Sequence, residues 1–379
     1  AGPRAGAVRG GRVRRGREPQ DVQPRGVPGP RGVRRAADHH GPHRDALADQ
    51  PARREGRGRG RHDRRGPDRH QRDRRRALGL RHRGRADARV AADDLEGHPA
   101  STGRCAMIPA AFEYVRAASA AEAIDLLGRH GDDAKLLAGG HSLLPLMKLR
   151  LAQPSVLVDV GRVKDLSYVR DAGDHVAIGA LTRHSDVEHS KVLKEHAPLL
   201  AHAASHVGDS QVRHRGTIGG SIAHADPASD LPATTLALGA TYVAQGPKGT
   251  REIAAADFYT GFLQSVLAPD EMLTEIRVPK MRGAAWGFQK FNRRAQDWAI
   301  VGVAAWRRNG SAGVALVNMG STPVLATSVA AALAGGASVA DAAALASAEA
   351  EPQSDNNASA EYRRHLASVL VRRALEQAG

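Results

Sequence analysis

The chain has 379 residues, with 55 Lys and Arg against 40 Asp and Glu, a formal charge of +15, and only 3% aromatic residues. That length allows two or three domains, and no apolar run reaches the roughly 18 residues of a membrane-spanning helix. A single cysteine, Cys105, excludes a disulfide framework, a cysteine-built zinc site and an iron–sulfur cluster held by this chain alone.

The charge is unevenly placed. Residues 1–106 hold 28 Arg, no Lys and 13 acidic residues, which accounts for the whole +15, whereas residues 107–379 hold 27 basic and 27 acidic residues and are neutral. The first segment also lacks Phe, Tyr, Trp, Ile, Asn and Met. It has too little apolar surface to offset chain entropy, and disorder is expected there. Two readings of it stand. One is an Arg-rich nucleic-acid-binding arm, with Arg72, Arg74, Arg75 and Arg76 as its footprint. The other is a GC-rich frame read from a mis-set start, since the missing residue types share GC-poor codons. The natural chain then begins at Met107, the first methionine, where ordinary protein composition sets in. The neutral remainder gives nucleic-acid binding no support, so no nucleic-acid partner is expected.

Residues 120–130 have the spacing of a short amphipathic helix, with Ala123, Ile124 and Leu127 inward. Lys135-Leu136-Leu137-Ala138 reads as a strand running into Gly139-Gly140. Residues 143–151 read as a helix with Pro145 tolerable only in its first turn, and 155–160 as a buried strand; together these form a small βαβ-like unit. Residues 166–170 and 175–181 flank Asp171-Ala172-Gly173-Asp174 as a hairpin. A helix over 199–207 precedes a loop-rich stretch over 208–232. A second hairpin joins 241–244 to 251–253, and 271–278 is a strand. Met281-Arg282-Gly283 marks a domain junction. Strands over 299–307 and 312–319 meet through Asn309-Gly310. Three helical segments end the chain. The last, 361–377, places Tyr362, Leu366, Val369, Leu370 and Ala374 on one side, with cap chemistry over 356–359. The order of elements is that of an α+β chain.

Two small-residue segments carry site chemistry. In Ala138-Gly139-Gly140-His141-Ser142, two glycines let backbone N–H groups approach an anion, and Ser142 adds a hydroxyl; a plain tight turn is the alternative. In Gly216-Thr217-Ile218-Gly219-Gly220-Ser221, preceded by Gln211, Arg213 and Arg215, hydroxyls stand at both ends. Asp226-Pro227-Ala228-Ser229-Asp230-Leu231-Pro232 follows, where a carboxylate can hold sugar or ribityl hydroxyls. Two Gly-Gly segments about 80 residues apart suggest one diphosphate cradled from two sides; neither has the G-x-G-x-x-G or P-loop spacing. His202 and His206 stand four apart on a helix as zinc ligands can, but Ala203 takes the place of the glutamate of H-E-x-x-H and no third ligand is evident, so no metal is expected. His141 is read as positional.

These three motifs, in this order, resemble those of the FAD-binding medium subunits of molybdenum hydroxylases, most of all those of carbon monoxide dehydrogenases. Met107-Ile108-Pro109 and Glu361-Tyr362-Arg363-Arg364 are similar to the ends of such subunits, so the resemblance spans 107–379 and none of 1–106. It implies a PCMH-type FAD-binding domain of two subdomains over 107–283, then an antiparallel sheet with helices over 284–379. It implies that Ala138, Gly139, Gly140, His141 and Ser142, with Thr217, Ile218, Gly219, Gly220 and Ser221, wrap the FAD pyrophosphate. Asp230 then matches the flavin-side carboxylate, and Lys290, in Lys290-Phe291-Asn292-Arg293-Arg294, the basic segment beside the isoalloxazine. Trp298 falls where carbon monoxide dehydrogenases carry a tyrosine, and a strand-start core residue is its alternative reading. Ser221 replaces a frequent asparagine.

The function implied is electron transfer. FAD takes electrons from iron–sulfur clusters of a small subunit, which is fed by a molybdopterin large subunit, and passes them to an external acceptor, with no side chain acting as nucleophile. A dimer of heterotrimers is implied, cytoplasmic or at the inner face of the membrane through the complex. The alternative is a self-contained FAD-dependent oxidoreductase acting on a small organic substrate. The substrate of such a complex is not written in this chain.

Overall fold

The structure is a computed structural model that describes residues 108–379; the expectations for the Arg-rich segment 1–106 and for a start at Met107 lie outside the described residues. Its first layer is a parallel sheet of β1 (Glu113–Arg116), β2 (Ala134–Leu137) and β3 (Val156–Asp159) in the order β1-β3-β2, crossed over by α1 (Ala120–His130) and α2 (Leu143–Lys148). Helix α1 starts where Ser119 accepts from the Glu122 amide while the Glu122 carboxylate reaches back to the Ala118 amide, a two-way cap. It buries Ala123, Ile124, Leu126 and Leu127 against the sheet. Helix α2 ends earlier than its apolar run suggests, because Arg150 takes a left-handed backbone (φ 59°).

The second layer is a five-stranded antiparallel sheet, β4-β5-β10-β6-β7, from β4 (Val169–Asp171), β5 (His175–Gly179), β6 (Thr241–Gly246), β7 (Gly249–Ala254) and β10 (Met272–Pro279). A small hairpin of β8 (Tyr259–Gly261) and β9 (Gln264–Ser265) lies between β7 and β10. Between β5 and β6 the chain runs through α3 (His184–His189), α4 (Lys191–His196), α5 (Pro198–Ser205), α6 (Ser210–Arg213), α7 (Ile218–His224) and α8 (Asp230–Ala237). The stretch read as loop-rich thus holds three short helices. Their glycines and polar caps carry no helix propensity, and tertiary packing overrides it. Asp209 caps α6 through the Val212 amide, and Thr217 caps α7 through the Gly220 amide.

The last layer is the antiparallel sheet β11 (Ala285–Phe291), β12 (Val301–Arg308), β13 (Ser311–Val317) and β14 (Val324–Leu325), in that order, with α9 (Thr327–Ala334), α10 (Val339–Ala344) and α11 (Ala360–Gln377) packed on it. The hairpin at Asn309-Gly310 is present, both residues at positive φ. Strands β1 and β11 had no counterpart in the sequence reading. On α11 the expectation for Tyr362 is overturned: it is 44% exposed, and Arg363 is the buried residue beside it.

Helix α8 joins the layers. Every residue from Asp230 to Ala237 is buried, and the helix packs on α5 on one side and on β12 and β13 on the other. The Thr234 and Thr235 hydroxyls donate back to the Asp230 and Leu231 carbonyls, which lets polar side chains sit in this interior. One core therefore runs from Ile178 and Leu200 through Leu231 to Phe288 and Val317.

The sheet and α11 meet at a backbone-to-backbone approach, since a Cβ on Gly287 would run into the Ala374 carbonyl. Gly287→Ala is expected to lose about 2 kcal/mol of stability or more by pushing α11 off β11. Urea unfolding of the variant beside Gly310→Ala, whose strain is confined to an exposed turn, checks it: equal losses would contradict the close approach.

Candidate functional site

A cavity of about 620 Å³ lies where the parallel sheet, α7, α8 and the end of β11 converge. Ala138 to Ser142 form one wall. Gly140 has φ 76°, a conformation that disfavours any residue with a Cβ. Among the described residues, the amides of Gly139, Gly140, His141 and Ser142 donate to no protein acceptor, and the Ser142 hydroxyl does not cap α2. Four successive free N–H groups and one hydroxyl on a cavity wall form a donor cradle for an anion.

The second glycine segment works differently, and here the sequence reading is corrected. It is the start of α7, and its amides from 218 to 221 are already spent. Ile218 donates to the Thr182 carbonyl, Gly219 to Ala180, Gly220 to the Thr217 hydroxyl and Ser221 to the Thr217 carbonyl. Ile218 is fully buried in the core and does not line the cavity, so its expected contact with a ligand is not supported. Thr217, Gly219, Gly220 and Ser221 do line it. The glycines there provide room: a Cβ on Gly219 would stand 2.5 Å from the Ala180 Cβ. Across the cavity, a Cβ on Gly139 would stand 2.7 Å from Gly216 Cα, so the two segments touch backbone to backbone. Arg213 holds this arrangement, with Nε on Glu188 at 2.8 Å and Nη1 donating to the Val207 and Gly208 carbonyls.

The far end of the cavity is charged and aromatic. Asp230 is 5% exposed, and its Oδ2 lies 2.7 Å from Lys290 Nζ, which also donates to the His206 carbonyl at 2.9 Å. Burial pushes the Asp230 carboxyl above the usual carboxylate range, against the opposing pull of Lys290. Its Oδ1 is buried without a partner among the described residues. Trp298 lines the cavity and stays 57% exposed, so the core reading of this residue does not hold. His141 is exposed on the cavity wall, as a positional residue would be, and no resolved hydrogen bond involves its ring. His202 and His206 pack on each other at 4.6 Å and against Trp286 and Phe288, as aromatic core-edge residues.

An FAD molecule fits this donor set. Its pyrophosphate needs hydrogen-bond donors, which the 139–142 amides supply. Its hydroxyls need acceptors, and Asp230 Oδ1 is one. Its ring needs a flat apolar face, which Trp298 offers.

His184 was not foreseen from the sequence. It lies on the cavity wall, 4% exposed, with Nδ1 lacking a partner. Burial, with smaller contributions from His141 and Arg213, lowers its pKa to about 4. A histidine whose folded pKa lies below its unfolded value of 6.5 gives stability that is present above pH 6.5 and lost as pH falls toward 4. Between pH 7.5 and pH 5 it accounts for about 2 kcal/mol. His184→Gln should flatten the pH dependence of urea unfolding by that amount; identical slopes for variant and wild type would refute the assignment.

Comparison with known proteins places this geometry. The family described as the FAD binding domain in molybdopterin dehydrogenase matches residues 110–281, and that of the CO dehydrogenase flavoprotein C-terminal domain matches 286–378. The carbon monoxide dehydrogenase medium chain of Hydrogenophaga pseudoflava is 43% identical over 282 residues, 72% of this chain and 98% of that one. The nicotine 6-hydroxylase medium subunit of Paenarthrobacter nicotinovorans is 35% identical over 71% of this chain and 98% of its own. Among solved structures, carbon monoxide dehydrogenase from Hydrogenophaga pseudoflava superposes with a TM-score of 0.70 at 43% identity, and quinoline 2-oxidoreductase from Pseudomonas putida 86 with 0.67 at 32%; each match covers 72% of this chain and 98% of the other. The chain therefore belongs to the FAD-binding medium subunits of the molybdenum hydroxylases, an oxidoreductase family similar to carbon monoxide dehydrogenase, and FAD is its cofactor.

Proposed function

We propose that this chain is the electron-transferring flavin subunit of a molybdenum hydroxylase, divided into an FAD-binding domain over 107–283 and a C-terminal domain over 284–379. Its partners on this reading are an iron–sulfur small subunit and a molybdopterin large subunit, in a cytoplasmic dimer of heterotrimers. No helix among the described residues is long and apolar enough to cross a membrane. The observation that carries the proposal is the polarity of this cavity: amides without a partner among the described residues at one end, a buried carboxylate–ammonium pair and an exposed indole at the other.

FAD, when bound, supplies a carrier that takes electrons one at a time and delivers them to an external acceptor. The chain's own residues bind and orient it. The amides of Gly139 to Ser142 and the Ser142 hydroxyl hold the pyrophosphate. Thr217, Gly219, Gly220 and Ser221 shape the opposite wall and offer the Ser221 hydroxyl. Asp230 receives a ligand hydroxyl or N–H at Oδ1 while Lys290 fixes its other oxygen and sets the local charge. Trp298 would offer the ring its flat apolar face and limit water there. Ala138 and His141 complete the wall on the loop side. Which substrate the complex oxidises is set in a different subunit.

The visible absorption spectrum of the full chain, co-expressed and purified with its small and large partners, tests the proposal. Flavin bands with about one acid-released FAD per chain, beside iron–sulfur absorption, are expected. A complex that forms without flavin would overturn it, and a flavin-loaded chain that binds neither partner and oxidises a small organic substrate alone would favour the self-contained enzyme. With FAD loaded, Asp230→Ala leaves Lys290 buried without its partner and should cost about 3–5 kcal/mol in urea unfolding. A loss below 1 kcal/mol would show that the pair is not buried in solution.

A further inference from the structure

The segment carrying Trp298 and the loop carrying Asp230 are held by one residue that no site motif contains. Asn318 follows the end of β13 with φ 61°, in the left-handed region that asparagine tolerates better than other residues with a Cβ. From there its backbone N–H donates to the Pro227 carbonyl at 2.8 Å, and its Nδ2 donates to the Ala299 carbonyl at 2.7 Å. Pro227 lies in the turn that enters α8, in which the Ala228 amide donates to Asp226 Oδ1 and the Ser229 amide to the Asp226 carbonyl, and Asp230 is the first residue of that helix. Ala299 directly follows Trp298 and is buried. One side chain and one amide therefore tie together the two segments that deliver the carboxylate and the indole to the cavity.

Behind Asn318 stands Arg363, 3% exposed in the first turn of α11. Its Nη1 donates to the Ile300 carbonyl at 2.5 Å and reaches the Asn318 carbonyl at 3.5 Å, and its Nη2 meets Asp355 Oδ2 at 2.7 Å. Against the cost of its own burial, the Ala358 and Asn357 amides and the Arg363 guanidinium bring the Asp355 carboxyl down to about 2, so it remains a carboxylate partner throughout the useful pH range. Burying a guanidinium to hold two backbone carbonyls is costly unless their placement matters. The carbonyls it holds belong to the residue two past Trp298 and to Asn318.

We propose that Asn318 and Arg363 are positioning residues for the flavin: together they fix the spacing between Trp298 and Asp230. The C-terminal helix α11 thereby sets the geometry of a cavity that it does not line. The proposal rests on the reading of that cavity as the FAD site. It follows that changes at the half-buried Asn318 side chain alter how the flavin is held, and the melting temperature tells that effect from a loss of fold.

The test uses Asn318→Gly, which keeps the left-handed backbone and the amide to Pro227 while deleting the bond to Ala299. The full complex is prepared with this variant and with wild type. Three readouts are taken: FAD content, the visible circular dichroism of the flavin bands, and the rate of FAD release followed by free-flavin fluorescence. Wild-type FAD content, a changed flavin dichroism and release faster by about tenfold or more are expected, with a melting temperature within a few degrees of wild type. Arg363→Lys, which keeps the charge but cannot span the two carbonyls and Asp355 at once, should shift the dichroism in the same direction. Unchanged dichroism with release within twofold of wild type in both variants would overturn the proposal. Should Asn318→Gly fail to fold, Arg363→Lys and the near-isosteric Asn318→Asp, which sets a carboxylate against the Ala299 carbonyl, give the same reading. A wild-type complex lacking FAD would overturn the underlying site assignment instead, and that outcome is visible before any variant is compared.

Discussion

Asp230 and Lys290 form a buried ion pair between two parts of the chain that are 60 residues apart in sequence. Neither charge can be left in this interior without the other. Asp230 stands at the start of a helix buried on all sides, and Lys290 near the end of the edge strand of the last sheet. Their meeting requires that sheet to be docked on α8, and docking buries the continuous core from Leu231 to Val317. The pair also leaves one carboxylate oxygen unpartnered at the cavity. A single interaction thus couples the assembly of the two layers to the polarity of the site.

The two glycine segments look alike in sequence and have different physical roles. In the 139–142 loop the glycines free the backbone, which leaves four amides without acceptors among the described residues. In the 217–221 segment they remove volume, so that α7 can lie against Ala180 and the Gly139 loop can lie against Gly216. The first leaves donors on the cavity wall and the second leaves space. The cavity takes its charge pattern from this division, with donors at the loop end and a fixed carboxylate at the other.

How much of this was legible in the sequence follows from what kind of signal each feature leaves. Helix α1, the Asn309-Gly310 hairpin and α11 have strong local signals in periodicity, turn chemistry and capping; the helices lie within one residue of their expected bounds and the hairpin strands within two. The 208–232 stretch was misread because its helices are short and glycine-bearing and are held by tertiary contacts. Tyr362 is exposed and Arg363 is buried beside it because the guanidinium is held by the Ile300 carbonyl, 63 residues away in sequence, and by the Asp355 carboxylate, which no periodicity reveals. The site motifs and Trp298 lie on the wall of one cavity, apart from Ile218, whose amide and side chain are both used by the core. His184 and Asn318 left no local mark: one is a histidine in an ordinary helix start, the other depends on a left-handed backbone.

The most direct measurement is the density of the pyrophosphate in an experimental structure of the FAD-loaded complex. The account predicts phosphate oxygens within hydrogen-bond distance of amides between Gly139 and Ser142, with the Ile218 and Gly219 amides still donating to Thr182 and Ala180. Phosphates seated instead on the amides of α7, with those internal bonds broken, would contradict the division of labour between the two segments and the placement of the site built on it.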